Sequence, residues 1–467
     1  MVPPAEVSSR TARDPYAAFR FSDYRNYWIG GFVSVIGRQM LAVAVLYEIF
    51  QRTHSATALG LVGLAGALPV ILLSLPAGQA ADRFHRKRIL IATQLLLVCT
   101  STALAALSLW HAHVPDLPPL IWANRALAWT AAFFGEKKGV SFDPAVPLVY
   151  MLLLCNGFAR AFGWAARSPF VANLVPRSVL GNAVTWGSTN FEVGSMIGPA
   201  VSGLLIARLE HWSAGAGFPA VYLLDALCGL VFIGFLLPIR YHQEPHTPRH
   251  HPLRELFAGI KFVWNKKVIL ASITLDLFAV LLGGATALLP IFADQILGVG
   301  PAGLGWLRAA PSFGALLMAV LLAHLPMRRA GLMLLGAVAG FGAAMIVFGL
   351  SKSFWLSMLM LAISGALDNI SVVVRHTLVQ LLTPDPMRGR VSAVNNVFIG
   401  SSNELGAFES GITAAHFGPV MSVVGGGIGT IIVVVAAAKI WPELRGIGPL
   451  QSAGETPDEL EPHERTA

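Results

Sequence analysis

The chain has 467 residues and a formal net charge of +8, with 55% hydrophobic and only 12% charged residues. A soluble domain carries roughly 25% charged residues, so a water-soluble fold of this length is excluded and no nucleic-acid partner is expected. Most of the chain has lipid as its solvent. Only helices or a closed barrel satisfy every backbone polar group inside a bilayer. The apolar runs last roughly 20 residues, which suits helices, whereas barrel strands would alternate every second residue. The expectation is an all-α polytopic membrane protein.

In chain order, residues 1–25 are polar and form a cytoplasmic segment, without the short apolar core and cleavage site of a signal peptide. About twelve spans follow. They run near 26–50, 58–80, 88–110, 147–167, 179–207, 217–238, 268–293, 302–325, 330–350, 354–382, 390–415 and 418–440. The fifth, tenth and eleventh are the least cleanly apolar. Residues 26–238 form an N-terminal six-helix bundle that includes an extracytoplasmic loop at 111–146. Within that loop "LIWANRALAWTAAFFG" suits an interfacial helix, with Trp122 and Trp129 at headgroup level. Residues 239–267 form a cytoplasmic linker, rich in Pro and His at its start. It ends as an amphipathic helix on the membrane surface, with Leu253, Leu256, Ile260 and Val263 at helical spacing. A C-terminal bundle fills 268–441, and 442–467 is a cytoplasmic tail. Cys99, Cys155 and Cys228 all fall in apolar runs and give neither a disulfide framework nor a metal spacing. No metal or cofactor is expected.

Lys and Arg set the orientation. One set of loops holds the run from Arg83 to Arg88, together with Arg167, Arg177, Arg240, Lys261, Lys266, Lys267, Arg388, Arg390, Lys439 and Arg445. The opposite set holds Arg52, Arg125, Lys137, Lys138, Arg208 and Lys352. Both termini are therefore expected in the cytoplasm.

A weak internal repeat divides the chain. "RSPFVANLVPRSVLGN" (167–182) aligns without a gap on "RHTLVQLLTPDPMRGR" (375–390). Arg167 falls on Arg375, Pro176 on Pro384 and Gly181 on Gly389, six spans apart. Parallel halves of this kind are a transporter architecture, with the substrate near the midplane between them.

At this point the chain resembles the major facilitator superfamily. "AGQAADRFHRKRIL" (77–90) resembles its loop signature between helices two and three, with Gly78, Asp82, Arg83, Arg86 and Lys87 on the signature positions. Ala80 and His85 stand where Leu and Gly are usual. "FRFSDYRNYWIG" (19–30), "LLPIFADQILGVGPAGLGWLRAAPSFGALL" (288–317) and "TPDPMRGRVSAVNN" (383–396) resemble the enterobactin-exporter-like branch of bacterial efflux permeases. The resemblance implies the major facilitator fold, twelve transmembrane helices in two pseudo-symmetric six-helix bundles. It also implies a bacterial inner membrane, a monomer and efflux by alternating access. In such families the signature Asp sits against the N-terminus of helix eleven. Asp82 would then face the region of Arg388, Arg390 and Ser392 and clasp the cytoplasmic side shut. The alternative is that these charges only fix topology.

Ionisable residues inside the membrane default to function. Arg38, Arg160, Glu192, Asp225, Asp276, Arg308, Asp368, Arg375, Glu404 and Glu409 lie within spans, while Glu48 and Asp294 fall near outer ends and read as interfacial. Arg160 and Asp368 occupy equivalent repeat positions with opposite charge, an arrangement that suits a pair across the cavity. Asp276, Asp368 and Glu192 are the candidates for a proton site, since a carboxylate in a low-dielectric cavity can take and release a proton near neutral pH. Arg38, Arg160, Arg308 and Arg375 are the candidate charge partners, and permanent salt bridges are the alternative role for all of these groups. "GSMIGPAVSGLLIA" (194–207), with Gly194, Gly198, Pro199 and Gly203, resembles part of the superfamily's antiporter motif, and plain helix packing explains it equally well. Asn156, Trp164, Trp186, Asn190, Asn369, Asn395 and Asn396 are candidate substrate contacts in an otherwise apolar and aromatic lining.

The leading expectation is a proton-coupled exporter of a small amphiphilic molecule, siderophore- or drug-like. An importer, a lipid-moving transporter and a non-transporting sensor are the alternatives. No Walker loop, metal-binding His/Glu pair or nucleophile–base constellation points to an enzyme.

Overall fold

A chain in hydrocarbon has no water for its amides, so each apolar run closes its own hydrogen bonds as a helix. The computed structural model describes residues 14–110, 115, 117–136, 143–241, 243, 252–324, 327 and 329–448. Arg328, Lys137, Lys138, the start of the central linker and the end of the tail lie outside the described residues, as do the side chains of Leu253 and Leu256.

The first half comprises α1 (Ser22–Thr53), α2 (Ala56–Arg83), α3 (Arg86–Trp110), α4 (Pro118–Phe133), α5 (Val146–Ala172), α6 (Leu180–Trp212) and α7 (Gly217–Leu236). The second comprises α8 (Pro252–Asn265), α9 (Lys267–Gly283), α10 (Leu289–Ile291), α11 (Gly300–His324), α12 (Ala330–Leu350), α13 (Phe354–Leu382), α14 (Asp385–Phe417) and α15 (Pro419–Ile440). The two expected surface helices exist, as α4 in the loop after α3 and α8 in the central linker. Among the described residues, eleven segments are long and apolar enough to cross a membrane. The remaining span is α14, which is long enough at 33 residues but too polar to meet that criterion. It is held by packing against α2, α9 and α15. The seventh span is broken where a continuous helix was expected. The Gly283–Gly284 pair ends α9, the Ser410 hydroxyl donates to the Gly284 carbonyl at 2.7 Å, and α10 and a wide turn at Phe292–Ile296 complete the crossing.

Both described chain ends and the loops richest in Lys and Arg lie at one end of the helices, here called the basic end; the other is the far end. The halves meet in the far half of the bundle. A Cβ on Gly60 of α2 would stand 3.0 Å from the Phe408 carbonyl oxygen and 3.1 Å from Gly411 of α14. One on Gly203 of α6 would strike the Pro301 carbonyl and stand 2.8 Å from Gly305 of α11. Small residues let these backbones touch. At the basic end, by contrast, a Cβ on Gly78, Gly181, Gly187 or Gly389 would meet nothing within 4 Å. The cleft between the halves therefore opens at the basic end and is sealed at the far end.

The far end carries a polar network. Glu48 is buried rather than interfacial: α1 runs on past the expected span and places its carboxylate among α3 and α7. It accepts from Ser108 at 2.7 Å and from the Tyr222 hydroxyl, and it pairs with Arg52 at 2.6 Å. Arg52 also pairs with Asp143. Past the end of α4, Glu136 accepts from the Ser55 hydroxyl at 2.7 Å and the Thr57 amide at 3.0 Å, while Ser55 caps α2 by accepting from Ala58 at 3.0 Å. The Phe134 ring meets Phe408 of the second half edge-on, and Gly135, at φ 88°, lies against His416. Tyr47 donates to Asp294 across the halves at 3.1 Å.

Glu136→Ala leaves the Ser55 hydroxyl and Thr57 amide without their charged acceptor, a loss of about 1.5–3 kcal/mol. A lower Tm than wild type is expected for the detergent-purified protein, and an unchanged Tm would show that Glu136 does not tie down α2.

Candidate functional site

One face of α5 lines the cleft. Asn156, Arg160, Trp164 and Arg167 recur at helical spacing, and Trp164 is half-exposed. Arg160 pairs with Glu404 of α14 at 3.0 Å, their side chains 40% and 27% exposed. The expected partner, Asp368, is not the observed one. The reason is the packing order: α5 rests on α2 and α2 on α14, so α14 brings its acid to Arg160. Gly66 of α2 faces the pair, and a Cβ there would stand 3.3 Å from the Arg160 guanidinium. Immediately beyond, Gly63 closes on Ala407 and the Glu404 carbonyl. The pair is thus the floor of the cleft. Arg308 of α11 lies within electrostatic reach of Glu404 and donates to the Thr286 carbonyl at 3.2 Å. Arg38 of α1 lies within reach of Arg160, Arg167 and Asp225, and Asp225 accepts from Ser101 at 2.6 Å.

A second charged group lies deeper in the other half. Asp276 of α9 and Arg375 of α13 form an ion pair, only 6% and 2% exposed. Asp276 and Asp368 line one small cavity of about 10 Å³ with Ser371 and Phe341, close to the room one water needs. Asp368 is in turn within electrostatic reach of Glu192 on α6. Of the three carboxylates singled out from the sequence, Asp276 and Asp368 thus share a cavity, and Glu192 is linked to Asp368 by electrostatics alone. The Arg375 Nε, the Ser371 hydroxyl and the Asn369 Oδ1 are buried on α13 without a hydrogen-bond partner among the described residues.

The remaining candidates divide. Asn190 is buried and donates to the Trp28 carbonyl at 3.0 Å. Trp186 is wedged among Tyr16, Phe19 and Trp28 and donates to the Pro15 carbonyl at 2.9 Å. Asn190 thus ties α6 to α1, and Trp186 ties it to the N-terminal segment. Asn156 is half-buried on the cleft face of α5, Asn395 is buried with its Oδ1 unpartnered, and the side chain of Asn396 lies outside the described residues. Gly194 and Gly198 press α6 onto Val35 and Gln39 of α1, Pro199 turns its carbonyl toward Gly305, and Gly203 forms the crossing with α11. At the basic end Asp82 is 58% exposed and sits 3.7 Å from Arg86 in its own turn. Lys87 donates to the Leu237 and Ile239 carbonyls, Arg83 lies over Phe84, and Arg388 donates to the Gln380 and Thr383 carbonyls. Arg390 contacts the Met387 sulfur at 3.5 Å. Among the described residues, the ion pair of Asp82 is with Arg86 of its own turn.

Sequence reasoning named Glu404 as an ionisable group but gave it no partner. A contact spanning 244 positions leaves no local signal.

A family model described as the Major Facilitator Superfamily matches residues 27–407. The enterobactin exporter EntS of Shigella boydii serotype 18 is 27% identical over 427 residues, covering 90% of this chain and 92% of that protein. Among solved structures, a bacterial homologue of the human lysosomal transporter Spinster, inward-facing and unoccupied, superposes with a TM-score of 0.67 at 15% identity. It covers 92% of this chain and 99% of its own. A D-xylose–proton symporter superposes with a TM-score of 0.66 at 16% identity, covering 92% and 100%.

Removing one member of a buried ion pair leaves a charge uncompensated, at about 3–5 kcal/mol. Asp276→Asn is expected to lower the Tm of the purified protein sharply, and adding Arg375→Met to recover most of the loss. A single variant as stable as wild type would show that the pair does not hold α9 to α13.

Proposed function

The chain belongs to the Major Facilitator Superfamily, and from that premise we propose that it is a proton-coupled exporter of a small amphiphilic molecule, acting as a monomer by alternating access in a bacterial inner membrane. One juxtaposition carries the reading. Glu192 and Asp368 come from opposite halves, lie within electrostatic reach of one another, and neither has an ion-pair partner among the described residues. Two carboxylates in a poorly solvated cleft repel, and a proton on either removes the repulsion. Proton occupancy is thereby tied to the spacing of the halves, as coupling requires. Asp276, already balanced by Arg375, shares its cavity with Asp368.

Likeness to an exporter over nine-tenths of both chains favours efflux, as does the glycine motif of α6. The basic end is the cytoplasmic one by the positive-inside rule, so the open cleft is a state that loads from the cytoplasm. Trp164 and the apolar cleft wall suit an amphiphile.

Inverted membrane vesicles carrying the protein should take up fluorescent amphiphiles in response to an imposed pH gradient. Asp368→Asn and Glu192→Gln should each lower gradient-driven uptake about tenfold or more while leaving counterflow without a gradient intact. Full gradient dependence in both variants would remove these acids from coupling. For orientation, a C-terminal green fluorescent protein fusion should fluoresce and a C-terminal alkaline phosphatase fusion should be inactive; the reverse pattern would invert the topology.

A further inference from the structure

Resting on that reading, we infer that the cargo carries a deprotonated acidic group, a carboxylate or its equivalent, and that this group binds between Arg160 and Arg308 at the cleft floor by taking the place of Glu404. Arg160 pairs with Glu404 there, and Arg308 from the other half lies within electrostatic reach of the same carboxylate. The site therefore keeps one positive charge over when Glu404 is in place and two when it is displaced. Arg38 and Arg167 extend the positive wall of the first half, and the acid within their reach, Asp225, is buried and already engaged by Ser101.

Exposure separates this pair from the one at Asp276. That pair is enclosed, whereas Arg160 is 40% and Glu404 27% exposed, on the open side of the seal. A guanidinium exposed to the cleft can exchange one carboxylate for another, and its planar fork suits bidentate acceptors. Gly66 leaves room directly beside the guanidinium. Trp164 stands one turn along α5 toward the mouth and beside Gly400 of α14, so it bridges the two cleft walls. An amphiphile entering from the basic end would thus seat its acidic group at the floor and its apolar body along Trp164. Near Glu404, α2 presents Gly63 and Gly66, and α9 presents the Val280 and Leu281 backbone to Gly406.

The test uses three pyrene probes that differ in charge: 1-pyrenebutyrate, 1-pyrenebutanol and 1-pyrenemethylamine. Each is titrated by fluorescence anisotropy into the purified full-length protein. Wild type should bind the butyrate about tenfold or more tightly than the other two. Arg160→Gln should abolish that preference and Arg160→Lys should restore part of it. Glu404→Gln should tighten butyrate binding, because the competing carboxylate is gone. Opposite signs for the two halves of the pair are the signature of exchange. A merely structural brace would weaken binding in both variants, and that result in folded protein overturns the inference, as does equal binding of all three probes. Should Arg160→Gln not fold, Arg160→Lys and Glu404→Gln decide by the same signs. In proteoliposomes, gradient-driven movement of the amine with no preference for the butyrate overturns the acidic-cargo inference and leaves the exporter reading standing. Butyrate binding with the expected signs, but no gradient-driven movement of any probe, supports the site and overturns proton-coupled export.

Discussion

Two helix crossings, both reduced to bare backbone, join the halves of this protein. In lipid there is no hydrophobic force to press one helix on another, so association depends on close packing. Gly60 and Gly411 supply it between α2 and α14, and Gly203 and Gly305 between α6 and α11. The duplication makes these two crossings equivalent, since α2 corresponds to α11 and α6 to α14. Because both lie in the far half of the bundle, they fix where the cleft stops. The stopping point is Gly66, where Arg160 and Glu404 meet. The position of the charged floor is therefore a consequence of where the glycines run out.

The buried charges behave differently according to how completely they are enclosed. Asp276 and Arg375 are sealed between α9 and α13, where a charge is tolerable only while its partner is present. Glu48 is enclosed too, but it is satisfied several times over by Arg52, Ser108 and Tyr222, and it ties α1 to α3 and α7. Arg160 and Glu404 belong to neither kind: they join the halves and still face the cleft. Glu192 and Asp368 form the least compensated arrangement, two acids from opposite halves with nothing basic paired to them among the described residues.

The spans were readable because apolar runs of bilayer length have one physical solution, and the surface helices because α4 and α8 keep helical spacing between charged or aromatic positions. The polarity of α14 was readable as well, since its acids and amides interrupt the apolar run. Other features were hidden because they depend on distance in space rather than in sequence. The break after Gly283 is stabilised by Ser410 on another helix. Glu48 sits near the end of its apolar run, and only the continuation of α1 to Thr53 reveals that the surrounding helices rise past it. Equivalent repeat positions suggested Arg160 with Asp368. Yet symmetry-related residues sit on opposite sides of a pseudo-two-fold axis, and which acid arrives at a base depends on which helix packs beside it. The three acids were singled out one by one, and their placement on α6, α9 and α13 relative to one another became visible only with the helices in place.

The segment around α4 weights the two mouths of the protein unequally. Glu136 grips the first turn of α2, Asp143 grips Arg52 at the end of α1, and Phe134 and Gly135 lean across onto Phe408 and His416. When the far mouth parts, this strap travels with the first half and must lift from the second, losing those contacts. At the basic mouth the halves touch between α2 and α8. Parting the far mouth therefore means breaking the contacts of Phe134 with Phe408 and of Gly135 with His416.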